Sequence, residues 1–255
     1  MARLIKNVVR GVVRSVGYDL VRRRKARECR PSRPDVSNND MAIMTRVRPF
    51  TMTSDERILA LIDAVRYLVR YGIPGAIVEC GVWKGGSSMA AALTLLESRD
   101  LTRELYLYDT FEGMTAPTSA DRSYDGVLAE DQLREAARGT GVWCQAGLDE
   151  VRGNLASTTY PLEKMHFVRG PVEETIPRVL PELIGLLRLD TDWYESTRHE
   201  LTHLFPRLVT GGVLIIDDYG HWEGARRATD EYFASLGCRI FFHRLDYTGR
   251  IAVKE

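Results

Sequence analysis

The sequence has few cysteines, and they form none of the patterns that organise a small fold. The four cysteines of this 255-residue chain lie far apart and include no C-x-x-C pair: Cys29, Cys80, Cys144 and Cys238. No secretory hydrophobic region precedes them. Neither a disulfide framework nor a zinc site is therefore indicated, and we expect a reducing, cytoplasmic environment.

The chain also lacks net charge and long apolar runs. Its 35 Lys and Arg residues balance 35 Asp and Glu residues, and 44% of the residues are hydrophobic. This composition is typical of an ordinary globular protein and argues against disordered, collagenous and membrane-spanning classes. The length is sufficient for one domain with a sizeable core, or one domain with an extension.

The zero net charge hides an uneven distribution along the chain. Residues 1–35 contain eleven basic and three acidic residues, an excess of eight positive charges, so the remainder carries the matching negative excess. An acidic body is a poor partner for nucleic acid, because that binding depends on neutralising phosphates. We therefore expect no nucleic-acid partner.

The first 27 residues form a pattern typical of a basic amphipathic helix. Apolar residues from Leu4 to Val16 recur at helical spacing, with arginines and a lysine mostly between them. Two interpretations stay open: contact of residues 1–27 with an anionic membrane surface or acidic partner, or packing on the body or on a second subunit. We expect a homo-oligomer, with residues 1–52 forming an extension and linker and residues 53–255 the main domain.

The main domain alternates short apolar runs with helical patterns. A helix capped by Ser54 comes first, and the predicted strands are 76–80, 105–109, 165–169, 185–189, 213–217, 239–245 and 250–254. Such alternation predicts an α/β fold with a mostly parallel sheet and helices on both faces. The tight turn 246–249 predicts an antiparallel C-terminal hairpin. Residues 111–163, with a helix near 128–138, fit the alternation least well and are predicted to cover the substrate.

A glycine-rich turn follows the first strand. Glu79 and Gly81 begin the pattern E-x-G-x-x-x-G-G, which leads into a helix and would let a ligand approach the backbone closely. Asp109 ends the next strand, where nucleotide-type sites accept ribose hydroxyls. The alternatives are a tight turn without a ligand and, for Asp109, a helix cap.

Two acidic pairs follow two later strands. Asp190 and Asp192 end one strand, and Asp217 and Asp218 end the next. Carboxyl ends of parallel strands meet at one edge of a sheet, so these four carboxylates should converge and repel unless a cation neutralises them. Oxygen ligands alone favour Mg²⁺, Ca²⁺ or Mn²⁺. The alternative gives each aspartate a helix-capping role.

Four segments in this order carry a family resemblance: VECGVWKGGSS, YDTFEGM, RLDTDWYEST and GGVLIIDDY. Over residues 50–254 the chain resembles the macrocin O-methyltransferase (TylF/MycF-type) family of class I S-adenosylmethionine-dependent enzymes. The resemblance implies a Rossmann-like sheet of seven strands and Mg²⁺-dependent methylation of a sugar hydroxyl in a glycosylated natural product or glycan.

The resemblance also assigns roles to individual positions. It implies that Glu79, Gly81 and Ser87 line the methionine end of the donor and that Asp109 holds its ribose. The implied metal ligands are Asp190, Asp217 and Asp218, and the implied general base is Asp192.

Two other functions remain open at this point. The same metal chemistry would permit methylation of a non-sugar diol, such as a catechol or a polyketide. A non-catalytic module led by the basic N-terminal helix is the third hypothesis, although four convergent carboxylates without a cation would reduce stability.

Overall fold

The computed structural model describes residues 34–136, 143–176, 178–237 and 239–255. The chain divides into residues 1–37 and 38–255, and the architecture below is that of the second unit. The predicted basic helix over residues 1–27 lies outside the described residues. Among the described helices, none combines the length and apolar character that crossing a membrane requires.

The centre of the described unit is one seven-stranded sheet. Its strands are β1 (Ala76–Cys80), β2 (Leu105–Asp109), β3 (Met165–Arg169), β4 (Ile184–Leu189), β5 (Leu208–Ile216), β6 (His243–Arg244) and β7 (Arg250–Val253). Their spatial order is β3-β2-β1-β4-β5-β7-β6. The first five strands pair in parallel. Strands β2 and β3 lie on one side of β1, whereas β4 and β5 lie on the other. The strand order therefore reverses between β1 and β4, and open α/β sheets bind ligands at such a point.

The C-terminal edge is antiparallel, as predicted. Strand β7 pairs antiparallel with both β5 and β6. Asp246 builds the connecting turn by accepting hydrogen bonds from the backbone N–H groups of Thr248 (2.9 Å) and Gly249 (2.7 Å). The strand predicted over 239–245 is shorter than expected, because only two of its residues pair with β7.

Eight α-helices accompany the sheet in the described residues. They are α1 (Asn38–Val47), α2 (Asp55–Arg70), α3 (Gly86–Glu97), α4 (Ala129–Glu135), α5 (Leu148–Ala156), α6 (Val172–Thr175), α7 (Tyr194–Leu204) and α8 (Glu223–Leu236). The predicted cap of α2 is present, since Ser54 Oγ accepts a hydrogen bond from the N–H of Arg57 at 3.2 Å. Helices α1 and α2 pack against α3, and α7 packs against α8.

Helix α1 lies within residues 1–52, which the sequence predicts to be an extension and linker. Its residues Ile43, Met44 and Val47 are buried, and their spacing places them on one helical face. Arg66 of α2 joins the helices by pairing with Asp40 (2.6 Å) and with Glu97 at the end of α3 (2.7 Å). Burial of this short apolar stripe therefore outweighs the polar, linker-like composition.

The segment 111–163 is anchored to the rest of the domain at several points. Trp193 Nε1 donates to the carbonyl of Thr115 at 3.1 Å, and Asp121 accepts from the N–H of Tyr194 at 2.7 Å. The helix predicted near 128–138 is found as α4, and residues 137–142 lie outside the described part of the chain.

Candidate active site

After three of the strands, one residue of the following loop adopts a backbone conformation that non-glycine residues rarely adopt. Trp83 after β1 (φ 48°), Phe111 after β2 (φ 54°) and Asp192 after β4 (φ 67°) all lie in the left-handed region. Such conformations persist where the surrounding structure fixes them, and they concentrate at functional sites. Here they turn the chain sharply at the carboxyl ends of the strands, where a cavity opens.

The cavity brings together every residue that the sequence and the family resemblance single out. Its lining includes Glu79, Gly81, Ser87, Asp109, Asp190, Asp192, Asp217 and Asp218. Residues 50–53, at the end of the predicted linker and the start of the predicted main domain, line it as well. These residues therefore lie at one site. The role predicted for each of them stays a prediction.

Asp109 organises the loops at the ends of β1 and β2. Its Oδ2 accepts from the N–H groups of Val82 (2.7 Å) and Trp83 (3.0 Å), and its Oδ1 from the N–H of Phe111 (2.7 Å). Burial raises the pKa of Asp109, and these hydrogen bonds oppose that rise. The carboxylate thus holds two loops in place before any ligand is considered.

Glu79 has two protein partners at the end of β1. Ser88 donates its hydroxyl to Glu79, and Arg188 Nη1 donates at 2.6 Å. Burial raises the pKa of Glu79, whereas the Arg188 charge acts in the opposite direction. The neighbouring serine, Ser87, lines the cavity.

Gly81 permits a close approach between the loops after β1 and β4. It has φ +81°, and a Cβ atom there would lie 1.9 Å from the carbonyl oxygen of Asp190. Any side chain would therefore displace the loop that carries Asp190 and Asp192. Glycine is required here by the backbone and by the close approach together.

The acidic cluster at the ends of β4 and β5 contains two arginines. Arg188 Nη2 lies 2.8 Å from both Asp190 Oδ2 and Asp217 Oδ1. Arg57 pairs with the other oxygen of Asp217 and, at 3.0 Å, with Asp246. Two guanidinium groups thus neutralise part of the charge that the sequence analysis assigned entirely to a metal ion.

The arginines leave an excess of acid. The described lining of the cavity contains the two arginines and six carboxylates: Glu79, Asp109, Asp190, Asp192, Asp217 and Asp218. Burial and neighbouring carboxylates raise the pKa values of Asp190 and Asp218 well above the ordinary range.

A divalent cation fits this donor set. One carboxylate oxygen from each of Asp190, Asp217 and Asp218 can be chosen so that all three lie within 4.8 Å of one another. Hard oxygen donors suit Mg²⁺, Ca²⁺ or Mn²⁺, and a cation would stabilise the ionised forms that burial disfavours. The residues present are therefore compatible with the metal that the sequence predicts.

Asp192 lies beside this cluster on its left-handed turn. Its N–H donates to Asp218 Oδ2 at 3.2 Å. Burial, followed by the charge of Asp190, raises the pKa of the Asp192 carboxyl group to about 7. The backbone thus holds a carboxyl group next to the candidate metal ligands and on the lining of the cavity.

Comparisons with known proteins identify the family of this chain. A sequence-family model described as macrocin-O-methyltransferase (TylF) matches residues 6–252. The chain belongs to the macrocin O-methyltransferase family. It is 33% identical over 199 residues to the 8-demethyl-8-(2,3-dimethoxy-alpha-L-rhamnosyl)-tetracenomycin-C 4'-O-methyltransferase of Streptomyces olivaceus, covering 78% of this chain and 73% of that protein.

Another relative of this O-methyltransferase is the mycinamicin III 3''-O-methyltransferase of Micromonospora griseorubida. The two are 33% identical over 184 residues, which cover 71% of this chain and 69% of the relative. The solved structure of the O-methyltransferase NovP has a TM-score of 0.69 at 29% identity, covering 80% of this chain and 82% of that chain. A SAH-bound methyltransferase of Podospora anserina (TM-score 0.51, 12% identity, 86% and 89% covered) shows the fold alone.

Family membership confirms several sequence predictions and excludes one alternative. The class I methyltransferase fold with an antiparallel C-terminal edge is confirmed, and the enzyme class is confirmed. A non-catalytic module is therefore no longer tenable. The roles of the individual site residues stay predictions.

Sequence reasoning missed the two arginines of the site. Arg188 offered a signal, because it is a single charged residue inside the buried run of β4, and a buried guanidinium needs acidic partners. Arg57 offered none, since it is one of several arginines on α2 and lies 160 positions from Asp217.

Proposed function

We propose that this O-methyltransferase transfers a methyl group from S-adenosylmethionine to a sugar hydroxyl of a glycosylated natural product or glycan, with Mg²⁺. The observation that carries the proposal is the carboxylate cluster of Asp190, Asp217 and Asp218 beside Asp192 on a cavity at the strand ends. The named activities of the relatives support a sugar acceptor. The proposal includes residues 111–163 as the cover of the acceptor.

The donor would occupy the part of the cavity formed by the ends of β1 and β2. Glu79, Gly81 and Ser87 line that part, and Asp109 fixes the shape of its loops. Each oxygen of the Asp109 carboxylate can accept more than one hydrogen bond. Asp109 can therefore receive ribose hydroxyls while it holds the loops.

The acceptor hydroxyl would lie between the donor and the acidic cluster. Asp190, Asp217 and Asp218 would hold the divalent cation, which supplies a positive charge that lowers the pKa of the acceptor hydroxyl. Asp192 accepts the hydroxyl proton. The freed electron pair on oxygen forms the new C–O bond while the C–S bond of the sulfonium breaks, so no covalent intermediate with the protein is needed.

The arginines have a positioning role in this proposal. Arg188 joins Glu79 on the donor side to Asp190 and Asp217 on the metal side. The ion pairs fix the distance between the two halves of the cavity. Such fixed geometry is what an in-line methyl transfer needs.

Isothermal titration calorimetry separates the parts of the proposal. S-adenosylmethionine is titrated into wild type, Asp218→Asn and the control Asp63→Asn, whose charge lies on an exposed part of α2; Mg²⁺ is titrated in a second series. We expect all three proteins to bind the donor, and only Asp218→Asn to lose Mg²⁺ binding. Donor binding by none of them would overturn the methyltransferase site.

Mg²⁺ binding that persists in Asp218→Asn would overturn the assigned metal site while leaving donor binding intact. The homo-oligomeric state, the cytoplasmic location and the membrane contact through residues 1–27 stay predictions. The diol alternative differs only in the acceptor. A screen of glycosides against catechols in the same methyl-transfer assay distinguishes the two acceptor classes.

A further inference from the structure

Three aromatic rings form a cluster next to the acidic site, and the mechanism above does not use them. They belong to Tyr124, His221 and Tyr247, and we call them the aromatic platform. Tyr124 is 63% exposed and Tyr247 is 61% exposed. Exposed aromatic rings that contact each other are an unusual use of surface, because each leaves apolar area in contact with water.

The three rings are in mutual contact although they come from three separate loops. The ring centroids lie 5.7 Å apart for Tyr124 and His221, 6.0 Å for His221 and Tyr247, and 6.4 Å for Tyr124 and Tyr247. The hydroxyl of Tyr247 lies 3.3 Å from His221 Nδ1. The platform therefore presents aromatic faces together with polar groups at their edges.

Buried tryptophans support the platform from beneath. His221 contacts Trp222 with ring centroids 4.8 Å apart, and Trp222 contacts Trp193 at 5.0 Å. Both tryptophans are buried. The platform thus rests on a packed layer, which limits the entropy that a ligand would have to remove.

Backbone contacts connect the rings of the platform to the loop that carries Asp217 and Asp218. The N–H groups of His221 and Trp222 donate to the carbonyl of Asp218, both at 3.0 Å. Ser123, next to Tyr124, forms an antiparallel bridge with Trp222. These contacts fix the positions of Tyr124 and His221 relative to Asp218.

Tyr247 is connected to the same loop from the other side. Its neighbour Thr248 donates its hydroxyl to the carbonyl of Asp217 at 2.7 Å, and Gly220 donates its N–H to the Thr248 carbonyl at 2.8 Å. Burial raises the pKa of Tyr247, the charge of Arg57 opposes that rise, and the charges of Asp246 and Asp218 add to it. Tyr247 is therefore within electrostatic reach of the acidic cluster.

We propose that the aromatic platform is the acceptor subsite, on which a pyranose ring stacks through its apolar C–H face. The inference rests on the proposed function, because it names where the sugar of that reaction binds. Aromatic faces carry partial negative charge and attract the polarised C–H groups of a sugar. The phenol and imidazole edges offer hydrogen bonds to its hydroxyls.

The position and chemistry favour a sugar over other ligands. The exposed rings of Tyr124 and Tyr247 offer aromatic faces on which an apolar ring surface can stack. A ring seated beside Asp218 would direct its hydroxyls toward the carboxylates of the cavity. A small polyhydroxylated ring meets both requirements, since it has an apolar face and hydroxyl groups at its edge.

Saturation-transfer difference NMR tests the subsite without requiring turnover. The probe is methyl α-L-rhamnopyranoside, added to full-length protein with S-adenosylhomocysteine and Mg²⁺, and mannitol is the open-chain polyol control. The variants are Tyr247→Leu, Tyr124→Leu and Tyr247→Phe. Tyr71→Leu is the matched control, because Tyr71 is 62% exposed and ends α2, at the opposite edge of the sheet.

We expect wild type, Tyr71→Leu and Tyr247→Phe to give saturation transfer to the rhamnoside ring protons. Each of the two platform leucine variants should weaken rhamnoside binding about fivefold to tenfold, the usual size of one aromatic contact. Mannitol should give little signal with any protein. Donor affinity, measured separately by calorimetry, should be the same in all variants.

Two results would overturn the platform proposal. One is wild-type protein that binds the donor but transfers no saturation to the rhamnoside. The other is rhamnoside binding that Tyr247→Leu and Tyr124→Leu leave unchanged. In both, normal donor binding shows that the proposed function stands, whereas loss of donor binding in wild type refutes the proposed function itself.

Discussion

The amino ends and the carboxyl ends of the parallel strands differ in how their charged residues are paired. We call these two sides of the sheet the amino edge and the carboxyl edge. At the amino edge, Arg103 donates to the carbonyls of Gly75 (2.6 Å) and Ile73 (3.1 Å) and to Asp100 (3.1 Å). At the carboxyl edge, the described lining of the cavity contains six carboxylates and two arginines, Arg57 and Arg188. One edge is electrically balanced by its own residues, and the other keeps an excess of acid.

The difference shows which charges support the fold and which are available for chemistry. Hydrogen bonds from Thr102 and Arg103 outweigh burial and lower the pKa of Asp100, so its ionised form stabilises the native state. Burial and repulsion raise the pKa values of Asp190 and Asp218, so their ionised forms oppose folding until a cation binds.

The largest expected effect is on stability at the carboxyl edge. Arg188→Met leaves Glu79, Asp190 and Asp217 without their shared cation, and we expect a loss of about 3–5 kcal/mol in the free energy of unfolding. Arg103→Met is the matched change at the amino edge and should lose about 2 kcal/mol. Urea denaturation followed by circular dichroism measures both, and equal losses would contradict the contrast.

The second prediction concerns the chemistry. Asp192→Asn removes the proposed proton acceptor, and kcat should fall about 10²- to 10⁴-fold. Donor affinity should not change. Methyl transfer from labelled S-adenosylmethionine to a glycoside acceptor measures kcat, with Asp63→Asn as the control for loss of one surface charge. A variant that retains full activity would exclude Asp192 as the base.

The third prediction concerns the stabilisation of the carboxyl edge by Mg²⁺. Mg²⁺ at a hundredfold excess over its Kd should stabilise wild type by about 2.7 kcal/mol, a rise of about 5 °C in Tm. Asp218→Asn should lose this response, and without Mg²⁺ it should be no less stable than wild type, because one repulsion is relieved. Scanning calorimetry with MgCl₂ and with EDTA gives both results.

Asp100→Asn is the control for that experiment, since its carboxylate lies at the amino edge. The variant should keep the full Mg²⁺ response. The opposite result would contradict the proposal. If Asp100→Asn loses the rise in Tm and Asp218→Asn retains it, the cation binds at the amino edge.

The smallest expected effect is the pH dependence at the amino edge. Asp100 has a lowered pKa in the folded state, so its contribution is present above the unfolded pKa of about 4 and disappears as pH falls through the folded value. Asp100→Asn should therefore lose about 1 kcal/mol at pH 7. Its stability should converge with that of wild type in acid. A difference that persists at pH 2 would show that the carboxylate charge is not the cause.

Much of the fold could be predicted because short buried runs have few alternatives. Strands β1, β2 and β3 have the predicted bounds, since each is an apolar run between turn residues. The expected strand 239–245 is reduced to His243–Arg244, because an edge strand pairs on one side only. Helix α1 was not predicted, since its polar composition is that of a linker and its burial depends on contacts with α2 and α3.

The sequence by itself determined that acidic residues follow adjacent parallel strands, and parallel geometry then brings Asp190, Asp217 and Asp218 to one edge. Only the tertiary structure decided that Arg57 and Arg188 pair with carboxylates of this group. It also decided that Tyr124, His221 and Tyr247 share one surface. The physical reason is distance along the chain. Strand order follows from local patterns and chain connectivity, whereas a contact such as Arg57 with Asp217, 160 positions apart, depends on how complete helices and loops pack.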